Sequence, residues 1–349
     1  MTALALRDPV RELGNFVPRR AALEPAAQAF LDSIAEVAPM PSLGAAAVRR
    51  TISEIQTVTG AVAPAVNVDD ITVAIPGPLT HLPVRIFRPH RSGCLLPVIL
   101  YVHGGGWVAG DATTHDRLVR ELAAESGAAV VFPQYTRTPQ AQYPRAIREC
   151  YSVLSWVAFH GATHGLDGKR IAVVGDSVGA TIATTLTLLA KERGGPPLAA
   201  QVLFYPATDA SLCTASHRQY GHGYWLHRDA MAWYWDQYIP DEARRAETTA
   251  SPLRATMGEL ANLPPALIVT AEADILRDEA EAYALKLSDA GVNVTSTRYA
   301  GVVHDFIMLN ALRCTTAAEA AISQATGYLA GALANHHTRR SHDVYGYLP

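Results

Sequence analysis

The chain has 349 residues, 49% of them hydrophobic, with 32 acidic and 29 basic side chains for a formal net charge of −3. That length and apolar content suffice for one large core, and the charge leaves no basic footprint for nucleic acid. Met1 to Pro9 lacks a basic region followed by an apolar stretch, and no run of about 18 apolar residues occurs elsewhere, so a cytoplasmic protein without stable membrane association is expected.

Pro25 to Val37 sets Ala26, Ala29, Phe30, Ile34 and Val37 at helical spacing, and Gly44 to Val58 repeats the pattern. Two strands follow between Val68 and Arg88. From Val98 to Tyr205 strands and helices alternate, which predicts an α/β fold with a mostly parallel sheet and helices on both faces. Val98 to Val102 reads as a buried strand that runs into His103-Gly104-Gly105-Gly106-Trp107. Residues without side chains let main-chain amides approach a reacting oxygen, so Gly105 and Gly106 are candidate oxyanion donors and Gly104 shapes the turn. The competing phosphate-cradle reading is disfavoured, because no Gly-x-Gly-x-x-Gly aligns across residues 104–110 and no Gly-Lys-Ser/Thr follows.

Val173-Val174-Gly175-Asp176-Ser177-Val178-Gly179 carries a serine between two glycines at the end of an apolar run, just before a helix-like stretch. This is the pattern of a nucleophile elbow, and it makes the amide of Val178 the third candidate oxyanion donor. The alternation breaks near Asp209. Up to Pro252 the chain holds Tyr220, Tyr224, Trp225, Trp233, Tyr234, Trp235 and Tyr238. Such rings either line a pocket for an acyl or alcohol group or glue the insertion to the core. Trp107, Tyr205, Trp225 and Trp235 are the candidate pocket residues.

Residues 264–271 read as a strand bounded by prolines, with Glu272 and Asp274 at its C-terminal end, where ligand sites gather in parallel sheets. Asp278 and Glu279 fall in the first turn of a following helix, where acidic residues serve the dipole. Val292 to Tyr299 alternates as a last strand, and His304 lies in the loop after it, ahead of an apolar helix expected near Ile307. In the chain order serine, acid, histidine, His304 stands third and is the candidate general base. Of the other histidines, His115 reads as a helix-start residue, His222 and His227 lie in the aromatic insertion, and His336, His337 and His342 lie in a polar tail. Cys94, Cys150, Cys213 and Cys314 are far apart with no Cys-x-x-Cys, so reduced core cysteines are expected. No His-Glu-x-x-His occurs, and neither a metal nor a cofactor is expected.

His103-Gly104-Gly105-Gly106-Trp107, Gly175-Asp176-Ser177-Val178-Gly179, Asp274-Ile275-Leu276-Arg277-Asp278-Glu279 and His304-Asp305-Phe306 together resemble the hormone-sensitive-lipase-like family of α/β-hydrolase carboxylesterases, its bacterial Gly-Asp-Ser branch, over about residues 24–334. The resemblance, with the later loop position, selects Asp274 over Glu272 as the acid. It implies metal-free hydrolysis of esters with short to medium acyl chains and a helical cap over Ser177. The chain is then divided into an N-terminal part of the cap (1–60), a catalytic domain (61–208 and 251–334), a cap insertion (209–250) and a tail (335–349), the last read as disordered or as docking on a second copy in a homo-oligomer. Three positions depart from the family pattern: Val178-Gly179-Ala180-Thr181 after the elbow, Tyr135-Thr136-Arg137-Thr138-Pro139, and Asp305 where glycine is usual. None removes a catalytic group, though Val178 is expected to narrow the oxyanion side of the pocket. The same triad would also serve an N-acyl hydrolase or an acyltransferase. A small-molecule binding protein on this scaffold would lack a triad member, and all three are here.

Overall fold

In the computed structural model, which describes residues 21–57, 62–77, 80–90 and 95–334, the strands are Asn67–Ala74 (β1), His81–Arg88 (β2), Leu96–Val102 (β3), Ala129–Pro133 (β4), Leu166–Asp176 (β5), Ala200–Phe204 (β6), Ala266–Ala273 (β7) and Val294–Val303 (β8). They form one eight-stranded sheet in the order β1-β2-β4-β3-β5-β6-β7-β8. β2 is antiparallel to both β1 and β4, and every pair from β4 to β8 is parallel. β4 and β6 are buried along their whole length, as expected of strands covered on both faces.

The helices are Pro25–Ser33 (α1), Met40–Leu43 (α2), Ala45–Thr57 (α3), Asp116–Ser126 (α4), Arg145–His160 (α5), Val178–Glu192 (α6), Ala215–Gln219 (α7), Arg228–Tyr238 (α8), Met257–Leu260 (α9), Arg277–Asp289 (α10) and Thr316–Leu333 (α11). α6 is buried from Val178 to Ala190, its threonines included, so it is a core helix rather than a half-wet one. Gly104, Ser177, Asp274 and His304 all follow the C-terminal ends of parallel strands, β3, β5, β7 and β8 respectively, which gathers them on one edge of the sheet.

Several elements differ from the sequence expectation. The first helix stops at Ser33 rather than Val37; the Ser33 hydroxyl donates back to the Phe30 carbonyl, a local bond that competes with the ladder. The short α2, with Pro41 in its first turn, is an additional helix between the two expected ones. No helix starts near Ile307, because the carbonyls of Ile307 and Met308 accept hydrogen bonds from Arg117, and that of Met308 also from Gln56. The helix begins instead at Thr316, where the Thr315 hydroxyl caps Ala318 N–H and the Glu24 carboxylate takes the amides of Thr316 and Ala317. Cys150 is buried, whereas Cys213 and Cys314 are exposed and not in the core. Cys94, the N-terminal 20 residues and the 335–349 tail with its three histidines lie outside the described residues. No described helix is long and apolar enough to cross a membrane.

Candidate active site

Ser177 occupies the junction of β5 and α6 with φ +53° and ψ −124°, a conformation that L-residues adopt only under constraint. Two close approaches impose it. A Cβ on Gly175 would stand 2.5 Å from the carbonyl of Gly179, and one on Gly179 would overlap the carbonyl of Val102. The turn is held by Ser177 N–H donating to Phe204 O at 2.9 Å. The serine hydroxyl therefore projects from the sheet edge, while Val178 becomes the first helical residue, whose amide has no partner within the helix. The Val178 side chain is fully buried and does not line the pocket, so it does not narrow the oxyanion side as expected.

The hydroxyl faces His304. Nε2 of His304 lies 2.9 Å from Ser177 Oγ, and its Nδ1 lies 2.7 Å from Asp274 Oδ2. Asp274 Oδ1 accepts the Leu276 amide at 2.9 Å, which fixes the carboxylate at the mouth of the loop after β7. Glu272 points elsewhere: it accepts from Arg277 at 3.1 Å and sits 3.4 Å from Arg298. All three triad candidates are buried. Burial disfavours the imidazolium of His304, but the charges of Asp274 and then Asp305, with the Asp274 hydrogen bond, raise its pKa from 6.5 to about 9.

The glycine loop is fastened from beneath. Asp176, the residue before the serine, accepts from Gly104 N–H at 2.9 Å and Tyr101 O–H at 2.6 Å, and lies 3.3 Å from His115 Nε2. Burial opposes both charges of the Asp176–His115 pair, yet each partner stabilises the other, lowering the carboxyl pKa and raising that of the imidazole. His115 is thus more than a helix-start residue. On the outer side Arg49 of α3 donates to the carbonyls of Val108 and Thr138 at 2.7 and 2.8 Å. Gly104 spends its amide on Asp176, whereas Gly105 and Gly106 border the space in front of Ser177.

That space is a small cavity of about 40 Å³, enclosed by Met40, Ile52, Trp225, Met231, Tyr234 and Met308 among others. Of the four residues expected to line it, only Trp225 does. Trp107 is turned into the core, stacked on Tyr238 with ring centroids 4.2 Å apart and packed against Trp235 at 4.6 Å. Trp235 and Tyr205 are fully buried, and Tyr205 meets the His304 ring edge-on at 4.9 Å. Tyr205 therefore buttresses the histidine instead of meeting substrate. The missed wall residues Ala230, Met231 and Tyr234 recur at helical spacing on α8, a stripe that was legible in the sequence.

A family model for the alpha/beta hydrolase fold matches residues 99–308. The chain is 39% identical over 261 residues to the carboxylesterase NlhH of Mycobacterium tuberculosis, spanning 74% of this chain and 80% of that protein. It is 36% identical over 284 residues to the ethyl acetate hydrolase of Pseudomonas putida, spanning 80% and 88% respectively. The crystal structure of a thermostable esterase from Pseudomonas putida ECU1011 superposes with a TM-score of 0.87 at 43% identity, covering 89% of this chain and 98% of that one.

Proposed function

The chain belongs to the alpha/beta hydrolase fold family and is a carboxylic ester hydrolase; on that premise we propose that Ser177 is its nucleophile, His304 its general base and Asp274 the carboxylate that orients the imidazole. The observation that carries this reading is the continuous hydrogen-bonded line of Asp274, His304 and Ser177, at 2.7 and 2.9 Å. Asp274 holds the tautomer with the proton on Nδ1, so Nε2 accepts the Ser177 proton as Oγ attacks the ester carbonyl. The carbonyl oxygen becomes an oxyanion, with the amides of Gly105, Gly106 and Val178 as its donors. Collapse expels the alcohol, which takes the proton from Nε2 and leaves the acyl group on Ser177. Water then repeats the sequence, delivering the acid and restoring the serine. We read residues 21–57, the described part of the N-terminal segment, and 209–250 as the cap over the catalytic domain. Supporting this, Met40 and Ile52 of the first part and Trp225, Met231 and Tyr234 of the second border the space above Ser177.

Gly106→Ala is expected to abolish most turnover. Gly106 has φ +63°, and an added Cβ would overlap the Tyr234 ring, so the loop would have to shift away from the oxyanion position. Loss of one donor lowers kcat by roughly a hundredfold or more; steady-state kinetics on an acetate ester measure it, and retention of wild-type kcat would remove Gly106 from the oxyanion hole.

The pH profile has a defined sign. Only neutral His304 accepts the Ser177 proton, so kcat/KM falls as pH drops through the histidine pKa, which is raised from 6.5 to about 9. The rising limb of kcat/KM is therefore expected on the alkaline side of an ordinary histidine. Asp305 Oδ1 lies 3.4 Å from Nε2, so Asp305→Asn removes a charge that favours the imidazolium and is expected to move the limb to lower pH. A limb unmoved by this substitution, or moved upward, would contradict the assignment of His304 as the titrating base.

The substrate class we assign is short- to medium-chain acyl esters, supported by the size of the cavity at Ser177, about 40 Å³. A p-nitrophenyl ester series is expected to peak at or below roughly eight acyl carbons, each buried methylene favouring binding by about 0.8 kcal/mol until the pocket is full. Faster hydrolysis of palmitate than of butyrate esters would defeat it.

A further inference from the structure

Asp305 follows the catalytic histidine with φ +63°, in the left-handed region that favours glycine, and it is buried. A carboxylate kept in so unfavourable a place calls for a partner. Its Oδ2 accepts the indole N–H of Trp225 at 2.8 Å, joining the histidine loop to the 209–250 insertion. The same indole meets Phe30 of α1 edge-on, centroids 5.4 Å apart, so Trp225 is gripped from the histidine loop and from the N-terminal helices.

Trp225 stands between two cavities. On one side is the space of about 40 Å³ in front of Ser177. On the other is a cleft of about 530 Å³ whose walls include the apolar Leu31, Ile34 and Val37 beside α1 and Tyr224 of the insertion. Met40, Trp225 and Ala230 line both, so these three side chains form the wall between them. We propose that Trp225, pinned by Asp305, is the partition that sets the acyl-length ceiling of this esterase, and that the apolar side of the cleft beyond it is a latent channel for the distal part of a longer acyl chain. The inference rests on Ser177 being the nucleophile. An acyl group attached there fills the inner cavity within a few carbons and then meets the indole, whereas a chain that passes it finds Leu31, Ile34 and Val37 along one side of the cleft, with the polar Asp32, His222 and Asp229 elsewhere on its walls.

The test compares wild type, Trp225→Ala, Met40→Ala and Asp305→Gly on p-nitrophenyl esters from acetate to decanoate, with a parallel set of acetates of lengthening alcohols. Each methylene admitted to an apolar site favours binding about fourfold. The ratio of kcat/KM for decanoate to that for acetate is expected to rise at least tenfold in Trp225→Ala. Met40→Ala opens the wall from its other side and is expected to shift the ratio in the same direction, which keeps the test decisive if Trp225→Ala does not fold. Asp305→Gly frees the indole without truncating it and suits the local backbone, so a smaller rise is expected. Any change it makes to His304 basicity scales all esters alike and cancels in the ratio. Unchanged ratios in every folded variant, or a shift confined to the alcohol series, would overturn the partition while leaving the nucleophile intact. Undiminished hydrolysis by Ser177→Ala would instead remove the reading on which it rests.

Discussion

Ser177→Ala is expected to lower ester turnover by at least about a thousandfold, because the group that becomes acylated is gone and only binding and the oxyanion donors remain. The loss is expected in kcat, with the fold unchanged. Alanine occupies the same φ of +53° at the same steric cost, and among the described residues the Ser177 hydroxyl hydrogen-bonds only to His304. A thermal melt close to wild type with kcat near background supports the assignment. Activity within tenfold of wild type would mean that another residue attacks the ester.

The second large effect separates two acids two residues apart. Asp274→Asn is expected to lower kcat by roughly a thousandfold or more: an amide that turns its NH₂ toward Nδ1 favours the imidazole tautomer protonated on Nε2, which presents a proton to Ser177 where a lone pair is needed. Glu272→Gln is expected to cost less than about tenfold, since its partners are Arg277, Arg298 and the Tyr220 hydroxyl and it acts through no catalytic group. Kinetics of the two variants on one butyrate ester decide between them. Equal losses, or the larger loss at Glu272, would reverse the assignment of the acid.

The parts of the site legible in the sequence are those set by backbone constraint. Gly175 and Gly179 are required where chain segments touch, and Gly106 where the loop meets Tyr234, so the glycine pattern itself records the turn. Chain order and a place after the last strand mark His304, a topological signal that local composition does not alter. β3 is legible because a strand buried on both faces reads as a continuous apolar run, here Val98 to Val102.

What escaped depends on the direction of side chains across long separations. Trp107, Tyr205 and Trp235 are as apolar as Trp225, and nothing in their spacing tells a ring packed into the core from one facing a cavity. Arg49 fastens the glycine loop across 59 positions and Gln56 holds the Met308 carbonyl across 252, bonds that no local window contains. The Gln56 bond and those from Arg117 also take the carbonyls that a helix near Ile307 would have used, so a segment with helical apolar content turns instead. Asp305 was visible as a departure from glycine, but its meaning needed Trp225, 80 positions away.

The central claim is that an acyl group resides on Ser177 during turnover, and covalent capture reads it most directly. A serine-directed organophosphonate, followed by intact-mass and peptide mass spectrometry, is expected to add one equivalent to the wild type, to place it on Ser177 and to abolish activity in proportion. Ser177→Ala is expected to remain unlabelled. An adduct on a different serine, accompanied by labelling and ester turnover in Ser177→Ala, would contradict the assignment.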